Sequence, residues 1–158
     1  MARIVRASAL PAALLVLALA GSAIASVTSG RYSGTTNQLT GAQTPLEFSL
    51  SVGKVAHRPG KYVTKVFFFA NHTGDGTVCA TKFDGLAGGI KLGTLSFRGI
   101  AIKGNSFSAA RIKTAPGEHL TISGKFSGTT VSGSFTDSFT SAQGASCTSG
   151  KVTFTASK

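Results

Sequence analysis

The chain is short of several things that chemistry in a site usually requires. It has five acidic residues, three histidines, two cysteines and no tryptophan. The acids are Glu47, Asp75, Asp84, Glu118 and Asp137. A glycosidase needs two of these across one cleft, and no spacing favours any pair over accident. His57, His72 and His119 form no H-x-H or H-E-x-x-H pattern, and there is no C-x-x-C; metal ligation is therefore not expected, and the histidines read as exposed turn residues. No G-x-S-x-G occurs, so a nucleophile elbow is absent. A Ser-His-Asp set built on His119 and Asp137 has nothing in its spacing to recommend it. Asn71, Thr73, Asp75 and Gly76 echo the start of a calcium loop, but Lys82 stands where the last acid belongs, and a polar turn is the better reading. No glycine-rich loop lies between a strand and a helix, which argues against a nucleotide site. The reading is no catalytic residue, no cofactor and no metal.

Without tryptophan, the aromatics are phenylalanines plus Tyr32 and Tyr62. Phenylalanines recurring at period two mark a core rather than a platform for stacking sugars. Helical periodicity is also missing after residue 25. Long apolar runs are missing too, apart from one at the start. Arg3 and Arg6 precede an apolar stretch over 7–20 and a small-residue site at Ala23, Ile24 and Ala25. That order describes a secretory signal peptide over 1–25, cleaved between Ala25 and Ser26. The run is too short to span a bilayer comfortably, and no second stretch offers an anchor. A single exported domain over 26–158 is predicted.

Two of the 16 Lys and Arg fall in the leader, so fourteen remain against the five acids, a net charge of +9 with His neutral. They are scattered singly. A specific nucleic-acid site would call for a basic cluster, and none occurs. Spread positive charge reads as a solvated, edge-protecting surface. An exported chain of this charge meets anionic envelope polymers or lipid head groups before nucleic acid. Cys79 and Cys147 read as one disulfide, as an even count in an exported chain suggests; the alternative is two buried thiols. The bridge would close a loop of roughly 70 residues, worth about 4 kcal/mol by chain entropy.

What remains is strand and turn. Residues 26–29 read as a loose N-terminus. Leu46, Phe48, Leu50 and Val52 alternate with polar partners, as in a half-buried strand. From Val66 through Phe67, Phe68 and Phe69 both faces are apolar, which predicts a central strand covered twice. Phe67, Phe68 and Phe69 are the candidate ligand or partner face, with coverage inside the monomer as the default. Residues 71–76 form a turn cluster, and glycine-rich 84–93 reads as a loop. Ile100 to Lys103, Gly104-Asn105 and Phe107 onward read as a hairpin. Leu120, Ile122, Gly124 and Phe126 alternate, as do Val131, Gly133, Phe135 and Phe139. Gly124 and Gly133 fall at inward positions, where bulges or close backbone approach would let a sheet curl. Val152, Phe154 and Ala156 make the last strand. The fold class is all-β: an antiparallel meander forming a sandwich or a partly open barrel, with one disulfide.

Several of these residues fall in a recurring order. Gly30, Tyr32, Gly34, Thr36 and Gln38 open the domain, followed by the 46–52 strand and Cys79. Ile102, Gly104 and Phe107 come next, then Gly124-Lys125-Phe126 with Val131-Ser132-Gly133, and Cys147-Thr-Ser-Gly150-Lys-Val-Thr-Phe154-Thr-Ala156 closes it. The order resembles a group of small secreted β proteins common in high-GC actinobacteria. The chain departs in having Phe154 where tryptophan is common, and in longer insertions near 56–61 and 84–93. The resemblance implies export, the disulfide and β architecture, and carries no activity. The resulting expectation is a secreted or envelope-associated, non-enzymatic binding or structural module. The alternatives are a carrier of a small apolar ligand in an open barrel and, third, a secreted hydrolase.

Overall fold

A computed structural model describes residues 26–74, 79, 86–91 and 99–158. The signal peptide predicted over 1–25 lies outside them, as do Asp75, Lys82 and Asp84. The described residues form one antiparallel sheet and no helix. Its strands are β1 (Gly30–Leu39), β2 (Pro45–Gly53), β3 (Tyr62–Ala70), β4 (Thr73–Gly74), β5 (Leu86–Lys91), β6 (Ile100–Ala101), β7 (Ser106–Ala115), β8 (Glu118–Ser127), β9 (Thr130–Thr140), β10 (Ser146–Thr148) and β11 (Val152–Ser157).

The pairings run β7, β8, β9, then β10 and β11 in line, then β1, β2 and β3, whose far edge takes both β5 and β6. Each strand turns its apolar set to the same side: Tyr32 on β1; Phe48 and Leu50 on β2; Val66 and Phe68 on β3; Leu120, Ile122 and Phe126 on β8; Val131 and Phe135 on β9; Val152 and Phe154 on β11. These side chains form a single buried cluster. The sheet is therefore curled into a half-barrel around its own inner face, the open-barrel form of the expectation rather than a sandwich. Period-two burial explains it: a strand with one apolar side must wrap that side around something.

Glycine makes the curl possible. Gly133 sits opposite Gly124 on β8 and Phe154 on β11. A Cβ on Gly133 would fall 2.7 Å from the Phe154 ring and overlap the neighbouring backbone; one on Gly124 would lie 2.7 Å from Phe107. The strands cross closely here only because both positions lack a side chain.

β10 and β11 are one strand interrupted by a bulge. Cys147 pairs with Phe139 and Val152 with Phe135, so the strand gains a residue relative to β9 between them. Gly150 takes the left-handed conformation there (φ 61°), which glycine adopts at no cost.

Four readings need correction. Residues 84–93 are not all loop, because β5 pairs with β3 from Lys65 to Ala70. Ile100 and Ala101 do not pair with β7 in a hairpin. They pair with Tyr62 and Val63 on β3, and the tight turn at Gly104-Asn105 then passes the chain to β7. Residues 26–29 are tied down: Val27 is buried, and its carbonyl accepts a bond from the Lys61 ammonium. The carbonyl of Thr28 accepts from the Tyr32 hydroxyl at 2.8 Å. The fourth concerns His72 and His119 and is taken up below.

Candidate functional site

The outer side of the sheet is the first candidate. On β7, β8, β9, β11 and β1 its positions hold mostly Ser and Thr. Two cross-strand rows follow from the register. One is Ser106, Lys125, Ser132, Thr155 and Thr35; the other is Ser108, Ser123, Ser134 and Thr153. On these five strands the carboxylates and the cations fall on opposite sides, while Glu47 on neighbouring β2 is exposed on the outer side, opposite Thr35. Asp137 falls in the inward set of β9 and is buried, and Glu118 is half-buried opposite Phe139. Arg31, Lys113, Lys125 and Lys151 are exposed. Among the described residues no Lys or Arg forms a salt bridge, and the one pair is His72 with Asp137. Two shallow grooves of about 470 Å³ each cross this face. Both are lined by Ser132, Gly133 and Thr153.

The second candidate is a buried polar cluster at one end of the half-barrel. After β3 the chain crosses this end through Asn71 and His72, and β4 pairs with β10 on the far wall. β1 has left β11 by then, and Gln38 fills the gap. Its amide accepts from the Asn71 N–H at 2.7 Å and donates to the carbonyls of Ser149 (3.2 Å) and Asn71 (3.3 Å). His72 Nε2 meets Asp137 Oδ2 at 2.9 Å, and the two residues are 4% and 3% exposed. Phe139 packs edge-on against the imidazole, with centroids 5.1 Å apart. Ser149 Oγ accepts from the Asp137 N–H and donates to the Gly150 carbonyl, both at 2.9 Å. Cys79 bridges to Cys147 on β10 beside this crossing.

A Ser, a His and an Asp thus gather, but not in an order that activates a nucleophile. That chemistry needs the hydroxyl on the imidazole and an opening for substrate. Here the hydroxyl is spent on backbone groups, no hydroxyl among the described residues bonds His72, and all three residues are buried. The cluster is a brace that fastens the crossing to β9. His72 is therefore not an exposed turn histidine: Asp137 is inward on β9, and a buried carboxylate draws in a hydrogen-bonding partner. That inward Asp, in register with Val131, Gly133 and Phe135, was the signal in the sequence for a buried polar partner. His57 is exposed in the β2–β3 connection, as expected, but His119 is no exposed turn residue either: it is half-buried within β8, opposite Ser138, and the three histidines do not converge. His57 and His72 flank β3 at its opposite ends.

The Phe67–Phe69 segment divides between the two sides. Phe68 is fully buried in the core, with its ring 4.5 Å from Phe135. Phe67 and Phe69 are half-buried on the outer side and meet edge-to-face at 5.2 Å. The disulfide, whose cysteines are 68 positions apart in sequence, joins β10 to Cys79; such a bond fits an oxidising compartment. No helix among the described residues is long and apolar enough to cross a membrane. Of the predicted cleavage pair, Ala25 lies outside the described residues and Ser26 is exposed at their start. Comparison with protein-family models, with curated proteins and with solved structures gives no match.

Proposed function

We propose that this chain is an exported, non-enzymatic β module that attaches to anionic polymers of the cell envelope. The observation that carries the reading is the sorting of charge. On the strands from β7 round to β1, the carboxylates Glu118 and Asp137 lie on the inner register while Arg31, Lys113 and Lys125 project outward without carboxylate partners. Cations on the outer face, among them Arg31, Lys65, Lys113 and Lys125, outnumber its one exposed carboxylate among the described residues, Glu47 on β2, and such an excess attracts an external polyanion. Export is supported by the charged and apolar order of residues 1–25, and the resemblance to small secreted actinobacterial β proteins agrees with it. The carrier reading finds less support. Phe48 stacks on Phe154 at 3.9 Å and Phe68 packs tilted against Phe135 at 4.5 Å, filling the interior where an apolar ligand would sit.

Retention on cell-wall fragments and on anionic beads tests the reading. The protein is expected to bind at low ionic strength and to elute at moderate salt, because exposed charges are screened beyond about 10 Å at 0.1 M. Retention that ignores salt, or equal retention on neutral beads, would overturn it.

A further inference from the structure

We infer that the binding track on this surface runs across β7, β8, β9, β11 and β1, and that it takes an extended acidic polysaccharide lying perpendicular to the strands. The inference rests on the polyanion-binding reading and names the ligand and its place.

Three observations carry it. First, the two grooves adjoin. One is lined by Lys125, Ser123, Ser134 and Lys151; the other continues over Thr155 to Thr35 on β1; Ser132 and Thr153 belong to both. Five strands at about 4.8 Å spacing give a track of about 19 Å. Second, its polar groups are uncommitted. Among the described residues, the hydroxyls of Ser123, Ser132, Ser134, Thr153 and Thr155 make no hydrogen bond to the protein, and neither do the ammonium groups of Lys125 and Lys151. Off the track some such groups are used, as where the Lys158 ammonium donates to the Ser29 carbonyl, while others, such as the ammonium groups of Lys54 and Lys65, are equally free among the described residues. Third, the chemistry of the track is many hydroxyls and few charges.

That ratio selects the ligand. A hydroxyl both donates and accepts, which suits the hydroxyls of a sugar ring. Hydroxyls repeating from strand to strand present one such partner about every 4.8 Å, close to the advance of an extended β-linked pyranose chain per ring. Lys125 and Lys151 supply cations for carboxylates spaced along that chain. A polyphosphate or nucleic acid carries charge on every repeat and would call for a denser basic row. Single-stranded nucleic acid would also call for aromatic platforms, and the outward positions of these five strands carry no Phe, Tyr or Trp.

The test is affinity for a soluble β-linked carboxymethyl-glucan oligosaccharide, compared with linear polyphosphate and with phosphatidylglycerol vesicles at the same salt. The glucan is expected to bind most tightly. Ser134→Asp, which sets a carboxylate in the middle of the track, should weaken it about tenfold or more by like-charge repulsion. Lys125→Ala and Lys151→Ala should each weaken it several-fold. Lys54→Ala and Lys65→Ala, exposed positions off the track, should leave it unchanged. All five substitutions are outside the core, and an unaltered circular dichroism spectrum checks that each variant is folded. Equal loss from all four lysine variants, or tighter binding to polyphosphate or vesicles than to the glucan, would overturn the track and leave general polyanion attachment standing. Failure of all three probes to bind at low salt would overturn both.

Discussion

The middle of the half-barrel and its β4 end close the same curl by different physics. In the middle, Phe48, Phe68, Phe135 and Phe154 pack ring against ring, some stacked and some tilted. Each contact is non-directional and tolerates small shifts, so the contributions are spread over the cluster. At the end, Gln38, His72, Asp137, Ser149 and the Cys79–Cys147 bridge hold one short crossing in place. Each bond there depends on the geometry of the next, because an unpaired buried polar group costs more than a made one gains. The middle should therefore set the global stability of the domain, and the end should be able to open on its own.

Truncating the aromatic middle is the sharpest way to break that contrast. Phe135 touches the rings of Phe48, Phe68 and Phe154 and is 2% exposed. Phe135→Ala is expected to cost about 4 kcal/mol, the usual scale for an aromatic deleted from a core, read as a lowered denaturant midpoint with all probes moving together. A loss under about 1 kcal/mol would mean that the interior collapses readily onto the gap.

Removing the bridge comes next. With its cysteines 68 positions apart, Cys79→Ser with Cys147→Ser should cost about 3 kcal/mol, somewhat below the chain-entropy figure. Hydrogen exchange separates the two regions. Amides of β4 and β10 should lose protection well before those of β8 and β9. Uniform loss across the sheet would mean that the end and the middle form one cooperative unit.

This contrast also explains what could be read from the sequence. The middle is written in period two: Phe48 and Leu50, Ile122 and Phe126, Val131 and Phe135 each announce an inward face without reference to any other strand. Gly124 and Gly133 stand out because glycine interrupts that inward row, and the close crossing follows. The disulfide is legible from cysteine count alone. β5 is not legible, since its Gly88 and Gly89 carry no strand preference and the segment is a strand because β3 offers it an edge. The β6 pairing is hidden for the same reason: two residues can join either neighbour, and only the fold decides. The brace is hidden because it links positions 38, 72, 137 and 149, which no local pattern joins. Asp137 at an inward position was the one visible mark of it, and sequence alone gave it no partner. The outer track was in view as residue types but not as a surface; its rows exist only once five strands are in register.

The smallest expected effect asks whether the His72–Asp137 pair stabilises the fold or only fixes the position of the crossing. Asp137→Ala leaves His72 Nε2 buried without its partner beside the Phe139 ring, and the expected loss is about 2 kcal/mol. The double variant His72→Phe with Asp137→Leu removes both polar groups while keeping much of the volume. Replacing a buried polar pair by apolar groups of similar shape is often close to neutral, so the double variant should be more stable than Asp137→Ala alone. Position is a separate readout. If the pair serves register, exchange at Thr73 and Cys147 should stay fast in the double variant even where global stability is recovered, because an apolar contact does not specify which residue of the crossing meets β9. Slow exchange there, matching the unaltered chain, would show that the Gln38 bonds and the disulfide are sufficient to seat the crossing. The pair would then be a polar filler of the end, holding nothing that its neighbours do not already hold.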